Sequence, residues 1–465
     1  MNRTFKWEDK TMKRILITAI ITALFGMVHI SHAQEIVTEN NIVAGARALG
    51  MGGAQIAAAG DATAVIHNPA ALARIENLEF QLGLNMLKRE IKTNLRSNFA
   101  HGSGSASDDF SGLGTIGVAY PVSTDRGSLV FALAYNRVKN FSGIFKSYGY
   151  NDYAFEVDNE IWGGNETSEL VEEGGLGVIS LASAVDVSPS VSVGASIDVW
   201  TGRYKIDKRI LRNDTPGEVS WLDITGGEDD ITAWSFKPSI LYFKENFRLG
   251  AFMRFPMTFH INQKNYDEYY SRNDGYFFHI HETITPYSGA DYLDDNFTGT
   301  VNYKIKAPMQ VGMGFSLGKP GKSLFALDVE YENWEKASFE DEYDPYYFSD
   351  KYRSTLNWRV GYEQKLPFFN TVGRIGYMRQ PVTFKGPRGN DPGDPQIDVV
   401  NMRDYLTLGF SKQFDDGFSI DLGYAHGFWS VEEGNREDKE SHDRVYVAIN
   451  YRVSGKLLDS WQEGK

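Results

Sequence analysis

The sequence has no cysteine, fewer basic than acidic residues, and no long apolar run in its body. With no cysteine among 465 residues, disulfides, thiolate metal sites and cysteine nucleophiles are excluded. The 47 lysines and arginines stand against 61 acidic residues, and the net charge of −14 argues against binding to nucleic acid, which needs a basic surface. After Ala33 no stretch approaches about 18 consecutive apolar residues, so the sequence predicts no membrane-spanning helix.

The N-terminus has the pattern of an export signal. Lys13 and Arg14 precede the apolar run Ile15–Ile30, which at about 16 residues is shorter than the roughly 20 that a spanning helix needs. The small residues that end at Ala33 suit a cleavage site, so residues 1–33 are predicted to be a signal peptide that is removed on export. An uncleaved N-terminal anchor is the alternative.

The first eleven residues do not fit this signal. Residues 1–11 contain Glu8 and Asp9, whereas a signal peptide begins with a basic region. Met12 directly precedes the basic pair, so we interpret Met12 as the true start and the residues before it as an extension. The mature chain is then predicted to begin near Gln34, outside the cytoplasm.

Apolar residues alternate with small or polar ones through most of the chain. Phe131 and Leu133 share one face of such a segment, and Ala132 and Ala134 share the other. A period of two predicts β-strands. Val130 and Tyr446 are exceptions, because they are apolar or aromatic residues on the polar face. The same alternation recurs at residues 190–199, 324–332, 418–427 and 444–453.

Alternation alone does not separate a soluble sandwich, with its apolar face inside, from a transmembrane barrel, with its apolar face against lipid. The segments are about ten residues long, which suits a tilted strand that crosses a bilayer. Tight turns such as Glu245–Phe247 and Asp415–Gly417 alternate with the long loops Pro256–Thr298 and Lys336–Arg353. These features predict an all-β protein, a transmembrane antiparallel β-barrel of about 14 strands over residues 77–453.

Aromatic and charged residues extend this prediction. Aromatic residues near strand ends are expected to form girdles at the two membrane interfaces: Tyr120, Trp200, Phe255, Trp334, Tyr377 and Trp429. Charged residues on the polar strand faces are expected to pair across the lumen, mainly for structural reasons: Arg248, Arg254, Asp328, Glu330, Arg359, Glu363, Arg374, Asp421 and Arg444.

The tract from Gly50 to Ile75 is rich in glycine and alanine and has almost no large side chains. It lacks the lysine of a phosphate loop and the βαβ context of a dinucleotide fingerprint, and its charged residues exclude a membrane helix. The remaining interpretation is a compact segment of short helices and tight turns that packs against other backbone in a confined space. Asn68 is expected to cap the short helix that follows, with Pro69 at its first position.

The residues "GARALGMGGAQIAAAGDATAVIHNPAALA" resemble the N-terminal hatch of the long-chain fatty-acid and aromatic-hydrocarbon transporters of bacterial outer membranes, the FadL/TodX type. Strand sequences in the C-terminal half, such as "YKIKAPMQVGMGFSL" and "SIDLGYAHG", are also similar to that family. The resemblance implies a small helical hatch at residues 34–76 that plugs the lumen. The hatch positions that match the family's motif are Gly50, Gly52, Gly53, Asn68, Pro69 and Ala70.

Other clusters favour no chemistry. The "HIHE" stretch His279–Glu282 and the acidic stretch Phe339–Asp350 could hold a cation, but each is more simply a solvated external loop. The Pro/Gly-rich stretch Gly386–Gln396 is a loop. His426 follows a strand with Ser419 and Asp421, yet nothing marks a nucleophile. The sequence therefore predicts no enzyme, no metal and no cofactor.

The family resemblance implies an outer-membrane transporter that passes a hydrophobic ligand, a fatty acid or a hydrocarbon, inward through a plugged barrel. In that family, hatch movement and an opening in the barrel wall release the ligand sideways into the membrane. The expected partners are the ligand, outer-membrane lipid and lipopolysaccharide, and the expected state is a monomer. Two alternatives stay open: a barrel for protein secretion or surface attachment, and a general porin. Residues 454–465 follow the last strand as a tail. Either this tail is an added periplasmic segment, or Tyr451 and Val453 before it serve as an internal signal for barrel assembly.

Overall fold

The structure is a computed structural model. It describes residues 43–96, 100–157, 160–214, 219–273, 276–280, 299–340, 345–347, 352–367, 370–383, 402–414, 417–433 and 436–453. The predicted signal peptide, the start of the predicted hatch, the stretch Gly386–Gln396 and the C-terminal tail lie outside these residues.

The alternating segments form strands, because a period of two places apolar side chains on one face of a pleated chain. In the described residues the main strands number fourteen, and four of them are interrupted once. Their bounds are β1 (Leu78–Arg96), β2 (Ala100–Val122), β3 (Leu129–Asn140 and Gly143–Val157), β4 (Glu160–Ser188), β5 (Val191–Asp214), β6 (Val219–Lys244), β7 (Phe247–Arg254 and Met257–Asn273), β8 (Gly299–Ala307 and Gln310–Lys319), β9 (Ser323–Asn333 and Ser338–Glu340), β10 (Ser354–Lys365), β11 (Thr371–Pro381), β12 (Met402–Gln413), β13 (Phe418–Glu433) and β14 (Arg436–Val453).

Smaller elements accompany these strands. The short strand Tyr276–Ile280 pairs back onto β7, and the short strand Pro345–Tyr347 pairs with the end of β9. The helices among the described residues are short: α1 (Ala46–Gly50), α2 (Ala64–His67) and the 3₁₀ helices Pro69–Arg74 and Trp334–Lys336. Across the described ranges, no helix has the length and apolar character needed to traverse a membrane.

The sheet closes on itself. Each strand pairs antiparallel with the next, and β14 returns to pair with β1 from Leu78 opposite Val453 to Leu95 opposite Arg436. Closure gives every strand two neighbours, so the wall has no open edge. The predicted antiparallel barrel of about 14 strands is confirmed.

The two faces of the wall have opposite character. On β1, the side chains of Phe80 and Leu82 point outward and are 48% and 45% exposed, whereas Glu79 and Gln81 point inward and are buried. The same apolar-out, polar-in alternation recurs around the barrel, as in Ile197 outside and Ser196 inside on β5. This is the arrangement of a barrel in lipid and the reverse of a soluble sandwich.

The strand lengths correct the prediction of about ten residues. Strand β4 has 29 residues and β6 has 26, longer than a tilted strand needs to cross a bilayer. Residues Met257–Asn273, predicted as part of a long loop, form the second half of β7. Where a strand extends past the lipid-facing apolar part of the wall, both of its faces are polar. The apolar–polar alternation is then weak, so the sequence pattern does not reveal the strand.

The girdle prediction is wrong for three residues. Tyr120 and Phe255 are exposed on the outer surface, as predicted, but Trp200 and Trp334 are buried inside the barrel, and Trp429 packs on Tyr405 within it. Trp200 follows the parity of the inward residues of its strand, and Trp429 does so on β13. The prediction used the position of these residues near strand ends, which suggested a membrane interface. The alternation of side chains, which places Trp200 and Trp429 in the lumen, was the better guide.

Candidate functional site

The N-terminal segment, defined here as residues 43–76, lies inside the barrel. Its helix α1 contacts β11, β12, β13 and β14, and its 3₁₀ helix contacts β3, β4, β5 and β6. Nearly all of its side chains are buried, among them Met51, Ile56 and Leu72. The segment therefore reaches walls on different sides of the lumen.

The two exceptions to the alternation are explained by this segment. Val130 faces inward and belongs to a buried cluster with Ala62 and Val65 of the segment. Tyr446 also faces inward, in a cluster with Ala46 and Leu49. Apolar side chains point into the polar lumen where the segment covers them.

Glycines in the segment and glycines in the wall allow the two backbones to approach closely. A Cβ at Gly50 would lie 2.7 Å from the Cα of Gly409, and a Cβ at Gly52 would lie 2.6 Å from the carbonyl oxygen of Tyr377. Gly52 also has φ of +63°, which disfavours other L-residues. Inward-facing wall glycines stand opposite each other on neighbouring strands: Gly250 and Gly314, Gly361 and Gly376, Gly409 and Gly423.

Asn68 joins three parts of this arrangement. Its side-chain oxygen accepts from the backbone N–H of Ala70 at 3.1 Å and caps the 3₁₀ helix, with Pro69 at the first position, as predicted. Its Nδ2 donates to the carbonyl of Ile56 at 2.7 Å and to the carbonyl of Ile240 on β6 at 3.3 Å. The side chain is fully buried. One amide thus connects two turns of the segment to the wall.

Buried charges fix the segment at two further points. Arg47 Nε lies 3.0 Å from Glu363 Oε2, and Arg374 Nε lies 2.7 Å from the same oxygen. Arg374 also pairs with Asp421 at 3.1 Å. Asp328 accepts from the backbone N–H of Ile56 at 2.8 Å, next to the similarly bonded N–H of Gln55. Arg374, Glu363 and Asp421 thus pair inside the lumen, as the sequence predicts.

A cavity of about 140 Å³ lies between the segment and the wall. Its aromatic lining includes Trp200, Phe252, Phe259 and Trp334. Its charged lining includes the pair Arg254–Glu332 at 3.0 Å, the pair Arg359–Glu330, and Lys237 with Asp198. The cavity therefore offers apolar surface and fixed charge side by side.

Lys237 connects this cavity to the segment. Its buried Nζ donates to the carbonyl oxygen of Ile66 at 2.5 Å and stands 5.7 Å from the ring centre of Phe252. His67, the next residue, also lines the cavity, and its Nε2 lies 3.0 Å from the carbonyl oxygen of Ala44. Burial lowers the pKa of His67 to about 4, so the imidazole is neutral at neutral pH and Nε2 carries the donated proton.

The strand pairing of the wall is interrupted between β2 and β3, beside the cavity. Pairing between β2 and β3 runs to Ser107 opposite Ile144, stops, and resumes at Thr115 opposite Asn136. Seven residues of each strand lie in this gap, and two of them, Val138 and Lys139, line the cavity.

Arg137 closes part of this gap. Its guanidinium lies 4.1 Å from the ring centre of Phe110, and its Nη2 donates to the carbonyl of Gly174 at 2.6 Å and to Asn140 Oδ1 at 3.0 Å. The side chain therefore links β2, β3 and β4 across the interruption, in a contact that can be rearranged without breaking a strand.

The other candidates that the sequence suggests do not assemble into a site. His426 bonds Asp443 at 2.8 Å on the outer surface, whereas Asp421 faces inward and bonds Asn450 at 2.7 Å. His279 lies in the short strand that pairs with β7, whereas His281 and Glu282 lie outside the described residues. Within the part of the chain that the structure describes, no group of three His, Asp or Glu side chains could hold a metal.

Comparison with solved structures finds the same architecture. The toluene transporter TodX of Pseudomonas putida matches with a TM-score of 0.54 at 15% identity over 90% of this chain and all of that one. A Pseudomonas aeruginosa FadL homologue matches with a TM-score of 0.59 at 14% identity, again over 90% and 100%. This chain has the FadL/TodX fold. The Ralstonia pickettii toluene transporter TbuX matches over 88% of this chain and 98% of its own, with a TM-score of 0.53 at 14% identity.

No protein-family model matches the chain, and no curated protein matches it significantly. At 14% to 15% identity the FadL/TodX likeness establishes the fold, and the activity is argued separately below. The sequence did not point to Trp200, Trp334 and Lys237 as cavity residues. For Trp200 the signal was present, since it follows Asp198 on the polar face of β5.

Proposed function

We propose that this chain is an outer-membrane transporter that passes hydrophobic small molecules, such as long-chain fatty acids or hydrocarbons, inward through a plugged barrel. One observation carries the proposal: a lumen filled by the N-terminal segment leaves a partly apolar cavity that reaches a gap in the wall between β2 and β3. A water-filled pore needs neither feature. The apolar belt of the outer surface and the FadL/TodX fold support a location in the outer membrane.

The expected path follows from the lining of the cavity. A ligand chain buries apolar surface against Trp200, Phe252 and Phe259, which stabilises it by about 0.8 kcal/mol for each buried CH₂. A carboxylate on the ligand, if present, meets the ammonium of Lys237. The ligand then leaves through the β2–β3 gap when the Arg137 contacts open, so it enters the membrane sideways without crossing the filled lumen.

The test is paired uptake in an outer-membrane host that lacks its own fatty-acid transporter. One arm follows labelled oleate, a second labelled toluene, and a third a small polar sugar. We expect oleate or toluene uptake above the empty-vector level, with no gain for the sugar. Sugar uptake would indicate a general porin, and uptake of none of the three would favour a role in protein secretion or surface attachment.

We further propose that the glycines Gly50, Gly52 and Gly53 and the triplet Asn68, Pro69 and Ala70 hold the segment in its closed position and control its movement. Asn68→Ala combined with Pro69→Ala is expected to leave the barrel folded and to reduce oleate uptake at least fivefold. The reason is that the carbonyls of Ile56 and Ile240 lose the amide that donates to them, at about 1–3 kcal/mol for a buried group left unpaired, and the 3₁₀ helix loses its cap, although Ala70 N–H keeps Ser239 Oγ at 2.9 Å.

The matched control for this variant is Asn165→Ala, which removes an amide oxygen that accepts from the exposed Tyr148 hydroxyl at 3.4 Å on the outer wall, away from the segment. Folding is checked by heat-modifiable migration on gels, and uptake by the oleate assay. Wild-type uptake by the Asn68 and Pro69 double variant would show that these residues do not control passage.

A further inference from the structure

A second interruption of the wall lies on β6, β7 and β8. Pairing between β6 and β7 runs to Thr232 opposite His260 and resumes at Ser239 opposite Phe252. Seven residues of β7 therefore face six of β6 without regular pairing. Pro256 lies in this stretch and has no N–H to donate to a neighbouring strand.

Strand β8 breaks at the same height. Its pairing with β7 passes from Ala307 opposite Met257 to Gln310 opposite Arg254, and Pro308 lies between these pairs. A backbone hydrogen bond from Phe255 N to the carbonyl of Phe236, at 3.1 Å, crosses the β6–β7 stretch. Three adjacent strands are thus loosely held at one level of the wall.

An apolar pocket of about 530 Å³ opens on the outside of this level. Its lining includes Trp234, Phe236, Phe255, Pro256 and Met257. The rings of Phe236 and Phe255 stack with centroids 6.0 Å apart, and Trp234 is 68% exposed. An exposed tryptophan at the end of an apolar belt marks the level where lipid meets water.

A polar pocket of about 620 Å³ adjoins the apolar one. Asp230, Asn262, Asn302 and Lys304 are part of its lining, and His260 lines both pockets. Together the two pockets form what we call the outer groove. The groove is polar at its upper end and apolar at its lower end, so its polarity matches that of a single-chain amphiphile.

Met257 separates the outer groove from the internal cavity. Its side chain is buried and lines both the apolar pocket and the cavity. Behind it, within the cavity, the rings of Trp200 and Phe259 meet edge to face with centroids 5.9 Å apart. Methionine is unbranched and flexible, so a rotamer change at this one residue would connect two apolar surfaces.

We propose that the outer groove takes up a single-chain amphiphile from the outer leaflet and delivers its chain past Met257 into the cavity. The polar end of the molecule rests among Asn262, Asn302 and Lys304, and its chain lies on Phe236 and Phe255. This inference rests on the proposed transport function and adds a way in from the membrane. It is separate from the β2–β3 gap, which reaches the cavity at Val138 and Lys139.

The first test uses the absence of natural cysteine. Met257→Cys in proteoliposomes is exposed to N-hexadecylmaleimide dissolved in the bilayer, and the labelling rate is measured with and without oleate. We expect labelling at least tenfold faster than that of Ser316→Cys, a buried inward-facing position on β8, and at least threefold slower with oleate present. Lipid-facing Met309→Cys is expected to react with no protection by oleate.

The labelling result can overturn the inference in two ways. If Met257→Cys reacts no faster than Ser316→Cys, the membrane does not reach Met257. If oleate does not slow the labelling of Met257→Cys, the amphiphile does not occupy the groove. Circular dichroism and gel migration of each variant establish that it is folded before labelling.

The second test measures uptake of oleate that is supplied in the outer leaflet. Phe236→Ala with Phe255→Ala removes the apolar floor of the outer groove and leaves the cavity lining intact. We expect at least a fivefold loss, against less than twofold for Phe131→Ala with Leu133→Ala, a similarly exposed lipid-facing pair on β3. If wild type takes up no oleate, the transport function fails. If wild type and the groove variant take it up equally, only the outer groove is refuted.

Discussion

A barrel that lacks residues 43–76 is expected to admit small sugars at a rate at least tenfold above that of the intact protein. The lumen is lined by polar and charged side chains, including Asp328 and Glu363, which now bond the segment. Water would replace those bonds, and a wall of fourteen strands is wide enough to hold water once the segment is gone. The measurement is sugar uptake and single-channel conductance in planar bilayers.

The comparison for this prediction is the full chain under the same conditions, together with Lys146→Met, which removes an exposed charge from the outer wall. Both are expected to remain closed to sugar. A truncated barrel that is folded and equally closed would mean that the loops, and not the segment, block the lumen. The role assigned to the segment would then be wrong.

Glu363→Gln is expected to lower the free energy of unfolding by about 3–5 kcal/mol, because it leaves two buried guanidinium groups with one fewer carboxylate. Glu363 is fully buried and pairs with Arg47 of the segment and Arg374 of the wall. It also accepts from the backbone N–H of Gly321 in the turn before β9, at 2.6 Å. The loss therefore affects the segment, the wall and a turn together.

The measurement is denaturant unfolding of the barrel in lipid vesicles, followed by tryptophan fluorescence. Glu169→Gln is the control, since its partner Lys146 lies 2.8 Å away on the exposed outer wall. Exposed pairs contribute little to stability, so this variant is expected to unfold at the same denaturant concentration as wild type. Equal unfolding of Glu363→Gln and Glu169→Gln would show that the buried network does not stabilise the fold.

The sequence determined the class of the fold and the side of the wall that meets lipid. Alternation fixes which residues share a face, and the predicted transmembrane barrel turns the apolar face to lipid, so Phe131 and Ile197 could be placed outside and Ser196 inside. The cap at Asn68 and Pro69 was also local, since it depends on two neighbouring residues and the first turn of a helix. Such features need no knowledge of distant contacts.

The tertiary structure decided everything that depends on which strands face each other across the lumen. The wall glycines that meet the segment come from several strands, and no spacing along the chain brings Gly250, Gly376 and Gly423 together. Nothing in the sequence indicates that Lys237 reaches Ile66, 171 residues away, or that Met257 stands between two pockets. The local sequence pattern determines which face of the wall a side chain lies on. The pairing of strands around the closed barrel determines which residues it contacts, and the cavity and both interruptions of the wall depend on those contacts.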